Sequence, residues 1–273
     1  MFKVFDVHTH TYPEKIAEKA CENLGHFYNF DVLGKGTYAD LESQAEANHV
    51  GGYLLFSVAT NAHQVPKVND SIAALAEYSR SRGFRTVGYA GMHQDFPDFE
   101  GEIDRAVSLG LRGVKIHPDI QGVNIDDPRL LPLYEILEAR GLPVYLHMGD
   151  NRPEYQFSSA DKLVRVLDMF PNLVVGAAHL GGYKSWDVNV PLLAGRKNVW
   201  YDTSSALWAM SVEDAERIIH TLGVENVMFG TDYPVVNTKE ELERFFRIPL
   251  TDDEREAILW NNAMRFFHME DAE

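Results

Sequence analysis

One cysteine, Cys21, among 273 residues rules out an intrachain disulfide, so stability must come from a packed core, and the usage fits a reducing compartment. Long hydrophobic runs are missing as well. GGYLLFSVA from Gly51 is far short of the roughly 20 residues that span a bilayer. The opening FKVFDVHTH is charged and histidine-bearing from the start and leaves no room for the apolar centre of a signal peptide, so the cytoplasm is the expected compartment. Positive charge is scarce, with 25 Lys+Arg against 41 Asp+Glu and a formal charge of −16. Neither nucleic acid nor an anionic membrane suits such a chain. A small-molecule substrate does, and association with further copies of the chain stays open. No glycine-rich dinucleotide fingerprint follows the first apolar segment, which removes the usual signature of an open doubly wound sheet.

What is present is an ordinary globular composition, 45% hydrophobic and 24% charged. Eight segments rich in Val, Ile, Leu, Tyr and Phe read as strands: FKVFDVHTH, GGYLLFSVA, FRTVGYAGM, LRGVKIHP, LPVYLHMG, NLVVGAAHLGG, NVWYDTSS and NVMFGTDYP. Most are apolar on both faces, as buried parallel strands are. Helical spacing fills the intervals, for instance over 68–83, 127–141 and 211–223. Helices stop at Gly83, Gly110, Gly141 and Gly223, and Thr251 with Glu254 forms a capping-box pattern ahead of the last helix. Eight strand–helix units predict an α/β fold of the (β/α)8 TIM-barrel type, a single domain over residues 1–273. The insert HFYNFDVLGKGTY, from His26, is the candidate loop over the barrel mouth.

The strand ends carry the chemistry. In a barrel they converge on one mouth, so residues distant in sequence become neighbours. Those ends offer Asp6, His8 and His10, which alternation places on one strand face, then His93, Lys115, His117, His147, His179, Asp202 and Asp232. Neutral imidazoles with a carboxylate suit a divalent Zn²⁺, Mn²⁺ or Fe²⁺ ion, and no clustered thiolates compete. Two same-face imidazoles beside an aspartate repel when protonated and waste donors when neutral, so a metal is the economical explanation. Such an ion brings the pKa of bound water to roughly 7.

DVHTH, GVKIHP, YLHMG, AAHLGG and GTDYP, followed by NNAMRFF, together resemble the amidohydrolase superfamily, and within it the amidohydrolase-2 branch. The resemblance runs in order from residue 6 to about 267 and implies a TIM barrel with one catalytic metal, zinc foremost, held by His8, His10, His147 and Asp232. It implies that His179 orients or polarises the reacting group and that Asp232 also moves a proton. Asp6 is expected behind a ligand histidine or as a strand-end anchor. Asp202 either orients a ligand histidine, binds substrate, or caps the following helix.

Lys115, on the face of His117, is either an ammonium paired with a protein or substrate carboxylate or a carbamylated bridge between two metals; His117 divides between substrate contact and structure. Arg152 either grips a substrate carboxylate or lies at the surface, and Tyr183, Trp208 and Tyr233 either wall a pocket for a planar substrate or pack in loops. The chain is shorter than typical decarboxylases of the branch. Hydrolysis of an ester, lactone or amide by activated water is therefore the leading expectation. Nonoxidative decarboxylation of an aromatic or unsaturated acid is the alternative, and a silent metal-binding barrel the third reading.

Overall fold

β-Branched and aromatic side chains on both faces cannot sit at a surface, and the computed structural model, which describes residues 2–270, buries them in eight strands. These are β1 (Val4–His10), β2 (Val50–Phe56), β3 (Arg85–Gly88, resuming at Ala90–Gly91), β4 (Val114–Ile116), β5 (Val144–Leu146), β6 (Val175–Ala177), β7 (Val199–Asp202) and β8 (Val227–Met228). Neighbours pair in parallel around the ring. Closure comes from the Val7 amide donating to the Phe229 carbonyl at 2.9 Å and the Asp232 amide donating to the His8 carbonyl at 2.9 Å. The fold is a (β/α)8 barrel. Residues 1 and 271–273 of the expected 1–273 domain lie outside the described residues.

The third strand breaks at Tyr89, whose fully buried ring turns into the barrel. Room for it is made across the ladder, because a Cβ on Gly113 would stand 2.6 Å from that ring. Gly176 does the same for Tyr145, at 2.4 Å. Small residues face large ones, which is how a barrel interior fills without voids.

Two layers of packing follow. Between strands and outer helices lies an aliphatic layer including Leu133, Leu137, Leu163 and Ile219, each fully buried and each contributing about 2 kcal/mol. Inside the barrel Phe5, Phe56, Tyr89, Tyr145 and Met228 pack against Phe266 and Phe267 from the last helical segment, which closes the lower end. Helices stop where glycine permits a left-handed turn, as at Gly83 (φ 97°) and Gly141 (φ 62°), and the Thr251–Glu254 capping box forms with both bonds present. Among the described residues no helix is long and apolar enough to cross a membrane.

Two helices, α1 (Glu14–Tyr28) and α2 (Tyr38–Ala47), separate β1 from β2. The insert expected as a loop is thus partly helical. Its Tyr28 reaches the mouth, where Arg152 fastens it: the guanidinium donates to the Phe27 carbonyl and lies 5.1 Å from the Tyr28 ring centre.

Candidate metal centre and active site

β1 delivers His8 and His10 side by side, and the turn after β8 delivers Asp232. His8 Nε2 and His10 Nε2 are 3.3 Å apart, and Asp232 Oδ1 stands 3.3 Å from the first and 3.5 Å from the second. Ligand atoms about 2.1 Å from one tetrahedral ion are separated by about 3.4 Å, so this near-equilateral triangle has the dimensions a divalent ion requires. The chemistry agrees with the dimensions. Burial pushes His8 down to about 3, helped by the charge of Lys115, and lowers His10 too, so both imidazoles are neutral and present lone pairs. Burial works against the Asp232 charge, yet the neighbouring His8 and the hydrogen bond of His10 hold it well below the usual carboxylate range.

Asp202, at the end of β7, organises this triangle from behind. Its Oδ2 accepts from His8 Nδ1 at 2.8 Å and from Tyr145 Oη at 2.5 Å. Its Oδ1 accepts from the amides of His179 (3.0 Å) and Ser204 (2.9 Å) and from Ser204 Oγ (2.5 Å). With the proton of His8 on Nδ1, Nε2 is left free as a ligand atom. Of the three expected uses of Asp202, orienting a histidine is the one the geometry displays.

Asp6 is the strand-end anchor. Its carboxylate accepts from the amide and hydroxyl of Thr231 (3.0 and 2.6 Å) and from the His8 amide (3.1 Å), tying β1 to the turn that carries Asp232. Burial pushes its pKa up to about 7. Three residues at the mouth, His179, Ser205 and Asp232, hold φ values of 60°, 50° and 63°. Left-handed backbone costs a non-glycine residue about 1 kcal/mol or more. Hydrogen bonds offset it, among them Ser205 Oγ donating to Asp232 Oδ2 at 2.6 Å.

His147 departs from the implied ligand set. It does not join the triangle. Its Nδ1 lies 2.9 Å from His179 Nε2, its ring stacks on His117 at 3.9 Å, and its Nε2 faces Tyr28 Oη, the Gly149 carbonyl and Asp119. The physical reason is competition: His179 Nδ1 is engaged by the Ser204 carbonyl at 2.9 Å, which turns His179 Nε2 onto His147 Nδ1 and holds that nitrogen away from the triangle. His117, Asp119 and His147 form a second cluster, with Tyr28 Oη 3.0 Å from His117 Nε2. Burial lowers both of these histidines far below the usual range and raises Asp119 to about 6.

Lys115 is 1% exposed and makes no ion pair among the described residues. Its Nζ lies 3.5 Å from His8 Nε2 and 4.5 and 5.2 Å from the ring centres of Phe56 and Tyr145, and burial brings it down to about 8. Arg152 is committed elsewhere, to Asp150 at 2.6 Å and to α1. Tyr233 is fully buried, its hydroxyl donating to the Thr37 carbonyl and to Asp40.

Tyr145, Ser204 and Tyr28 escaped the sequence reading. Tyr145 had a signal, since it shares a strand face with His147 two residues on. Ser204 follows Asp202 at the spacing of a side chain that bonds back to its own turn. Tyr28 had none, because its place depends on the path of the insert.

The Amidohydrolase family profile matches residues 5–269, and the chain belongs to this amidohydrolase-2 family. A relative from Caenorhabditis elegans named 2-amino-3-carboxymuconate-6-semialdehyde decarboxylase is 23% identical over 234 residues, 62% of this chain and 58% of that one. The chain thus spans under two thirds of that relative. Gamma-resorcylate decarboxylase from Polaromonas sp. (strain JS666 / ATCC BAA-500) is 23% identical over 272 residues, 77% of this chain and 81% of its own length. Among solved structures, a dihydroxybenzoic acid decarboxylase from Polaromonas sp. JS666 with bound manganese superposes with a TM-score of 0.74 at 15% identity, over 100% of this chain and 98% of that one.

These relatives overturn the expectation that hydrolysis leads, since they are named decarboxylases. The reason is physical. One such triangle of donors can serve to polarise a carbonyl or to hold an acid, so motifs that suit a divalent ion do not specify the reaction.

Proposed function

We propose that the chain is a metal-dependent, nonoxidative decarboxylase of a small aromatic or unsaturated acid. The observation that carries this reading is Lys115, a buried cation that makes no ion pair among the described residues and feels the carboxylates of Asp202 and Asp232 only at longer range, standing beside the His8–His10–Asp232 triangle. An unpaired buried charge is expensive, and an anionic substrate is the partner that relieves it. The named activities of the relatives support the same direction.

His8, His10 and Asp232 would hold one divalent ion, Zn²⁺ or Mn²⁺, with Asp202 fixing His8. When bound, the ion would supply a positive charge that holds and orients the acid and offsets the negative charge passing to the carbon left behind. Lys115 Nζ donates to the substrate carboxylate. The bond between the carboxylate carbon and the ring or alkene carbon breaks, its electron pair stays on the latter carbon, and CO₂ leaves. That carbon then takes a proton, held between His179 Nε2 and His147 Nδ1 and braced by the Ser204 carbonyl. Tyr28 and the Arg152 clasp cover the mouth and keep bulk water from the carbanion.

The test is CO₂ release from a panel of hydroxybenzoates and unsaturated dicarboxylic acids, run in D₂O. The expected result is CO₂ in equal amount to a product carrying one deuterium at the former carboxylate position, with Lys115→Met raising KM at least tenfold. Turnover of lactones or amides with no CO₂ from any acid would overturn the reading.

A further inference from the structure

Seven buried side-chain polar atoms among the described residues have no hydrogen-bond partner, and four of them stand on loops at the C-terminal ends of strands: Thr11 Oγ1, Gln94 Oε1, Tyr183 Oη and Trp208 Nε1. The last two belong together. Their rings are 6.1 Å apart, and Tyr183, only 5% exposed, lies 6.1 Å from the His179 ring and 6.0 Å from Tyr28. Phe30 extends the surface, 6.1 Å from Trp208 and stacked on Tyr28 at 5.4 Å with planes 4° apart. Four aromatic rings therefore make one continuous wall next to the histidine that handles the proton. Lys184, an exposed cation, has its Nζ 5.0 and 5.5 Å from the Tyr183 and Trp208 ring centres.

An indole N–H donates and cannot accept, and a buried phenol keeps its proton, so the pair presents two donors. A buried donor without a partner is costly, and a site built around such donors rejects ligands that lack the matching acceptor. The rings suit a flat ligand, the donors an oxygen on it, and Lys184 an anion approaching from solvent. The ion-holding triangle and Lys115 account for none of these features.

Resting on the decarboxylase reading for which bond reacts, we propose that Tyr183 and Trp208 are specificity-determining donors that recognise an oxygen substituent on a flat acid. An acid that lacks the oxygen leaves the donors unmet.

The test is calorimetric titration of the metal-loaded protein with benzoate and with its 2-, 3- and 4-hydroxy derivatives, for the wild type, Tyr183→Phe and Trp208→Phe, with melting temperatures confirming that each variant folds. At least one hydroxybenzoate is expected to bind the wild type about tenfold tighter than benzoate, the size of one neutral hydrogen bond. One or both variants should erase that ratio, with the larger loss of affinity falling on the hydroxybenzoate rather than on benzoate. A ratio that survives both substitutions, a wild type without preference, or equal weakening of benzoate and hydroxybenzoates overturns the proposal. CO₂ release measured on the same samples separates the two readings. Turnover with an unaltered preference in both variants defeats the donor assignment alone, whereas an altered preference with no CO₂ from any acid defeats the decarboxylase and leaves the donors standing.

Discussion

At the lower end of the barrel Phe5, Tyr89 and Met228 fill the interior and Phe266 and Phe267 close it, while at the upper end the same strands finish in His8, His10, His117, His147 and Asp202. Tyr145 spans the two. Its ring lies 6.3 Å from Phe266, and its hydroxyl donates to Asp202, which in turn fixes His8. Below, energy comes from area removed from water and tolerates exchange of one apolar group for another of similar volume. Above, each buried polar group depends on a specific partner, and loss of one leaves others stranded. Stability and chemistry are separated along the barrel axis, and substitutions at the two ends should separate them too.

The sharpest contrast is between His179 and Phe266. His179→Asn should lower kcat by about 10³-fold with metal content unchanged, read by steady-state CO₂ release. Phe266→Ala should leave metal affinity intact and cost about 3–5 kcal/mol in denaturant unfolding. If Phe266→Ala also emptied the metal centre, the two ends would not be separable. Asp202→Asn comes next. It keeps the volume but turns a pure acceptor into a mixed one, and metal affinity measured by chelator competition should fall about 10–100-fold.

A pH-dependent effect lies at Glu241, fully buried on the helix Thr238–Phe245, with Oε2 3.0 Å from Arg244 and Oε1 unpaired. Burial pushes its pKa from 4.5 up to about 8. The folded chain therefore keeps a proton that the unfolded chain releases above pH 4.5, and stability falls as pH rises from there to about 8. Glu241→Gln should remove that slope, gaining up to about 5 kcal/mol above pH 8 and nothing below pH 4.5 in chemical denaturation.

The smallest effect belongs to the exposed pair His220–Glu254, 2.9 Å apart, in which His220 is raised by its hydrogen bond to Glu254 and Glu254 is lowered chiefly by the Thr251 amide. Its contribution is present between the ordinary pKa values of the two groups, fades as pH rises through that of folded His220, and fades again as pH falls through that of folded Glu254. His220→Ala should cost roughly 0.5 kcal/mol within that window.

Sequence pattern made much of the upper end legible because strands alternate and strand ends converge. His8 and His10 need no more than the period of two to meet, and Asp232 needs only the closure of β8 onto β1. The anchoring by Asp6 and the hub at Asp202 were visible as residue types at strand ends. What pattern could not supply was direction. His147 stands at the expected strand end, yet its ring turns to His179 and His117, a choice made by hydrogen bonds among three residues on different strands. Tyr28 reaches the same cluster from α1, and nothing local to HFYNFDVLGKGTY sets that path. The break of β3 at Tyr89 was hidden for a related reason, since the space for its ring is provided by Gly113, immediately ahead of the next strand. The leading expectation of hydrolysis fails because a set of donors suited to a divalent ion leaves the reaction open, whereas the bond that breaks depends on what the neighbouring groups hold.

The most direct measurement is elemental analysis of protein purified without added metal or chelator, comparing the wild type with a His8→Ala, His10→Ala variant of verified fold. One divalent ion per wild-type chain and none in the variant is the expected result. A wild type that stays empty even when supplied with Zn²⁺ or Mn²⁺, or a variant that keeps its ion, would contradict a metal centre built on the triangle of His8, His10 and Asp232.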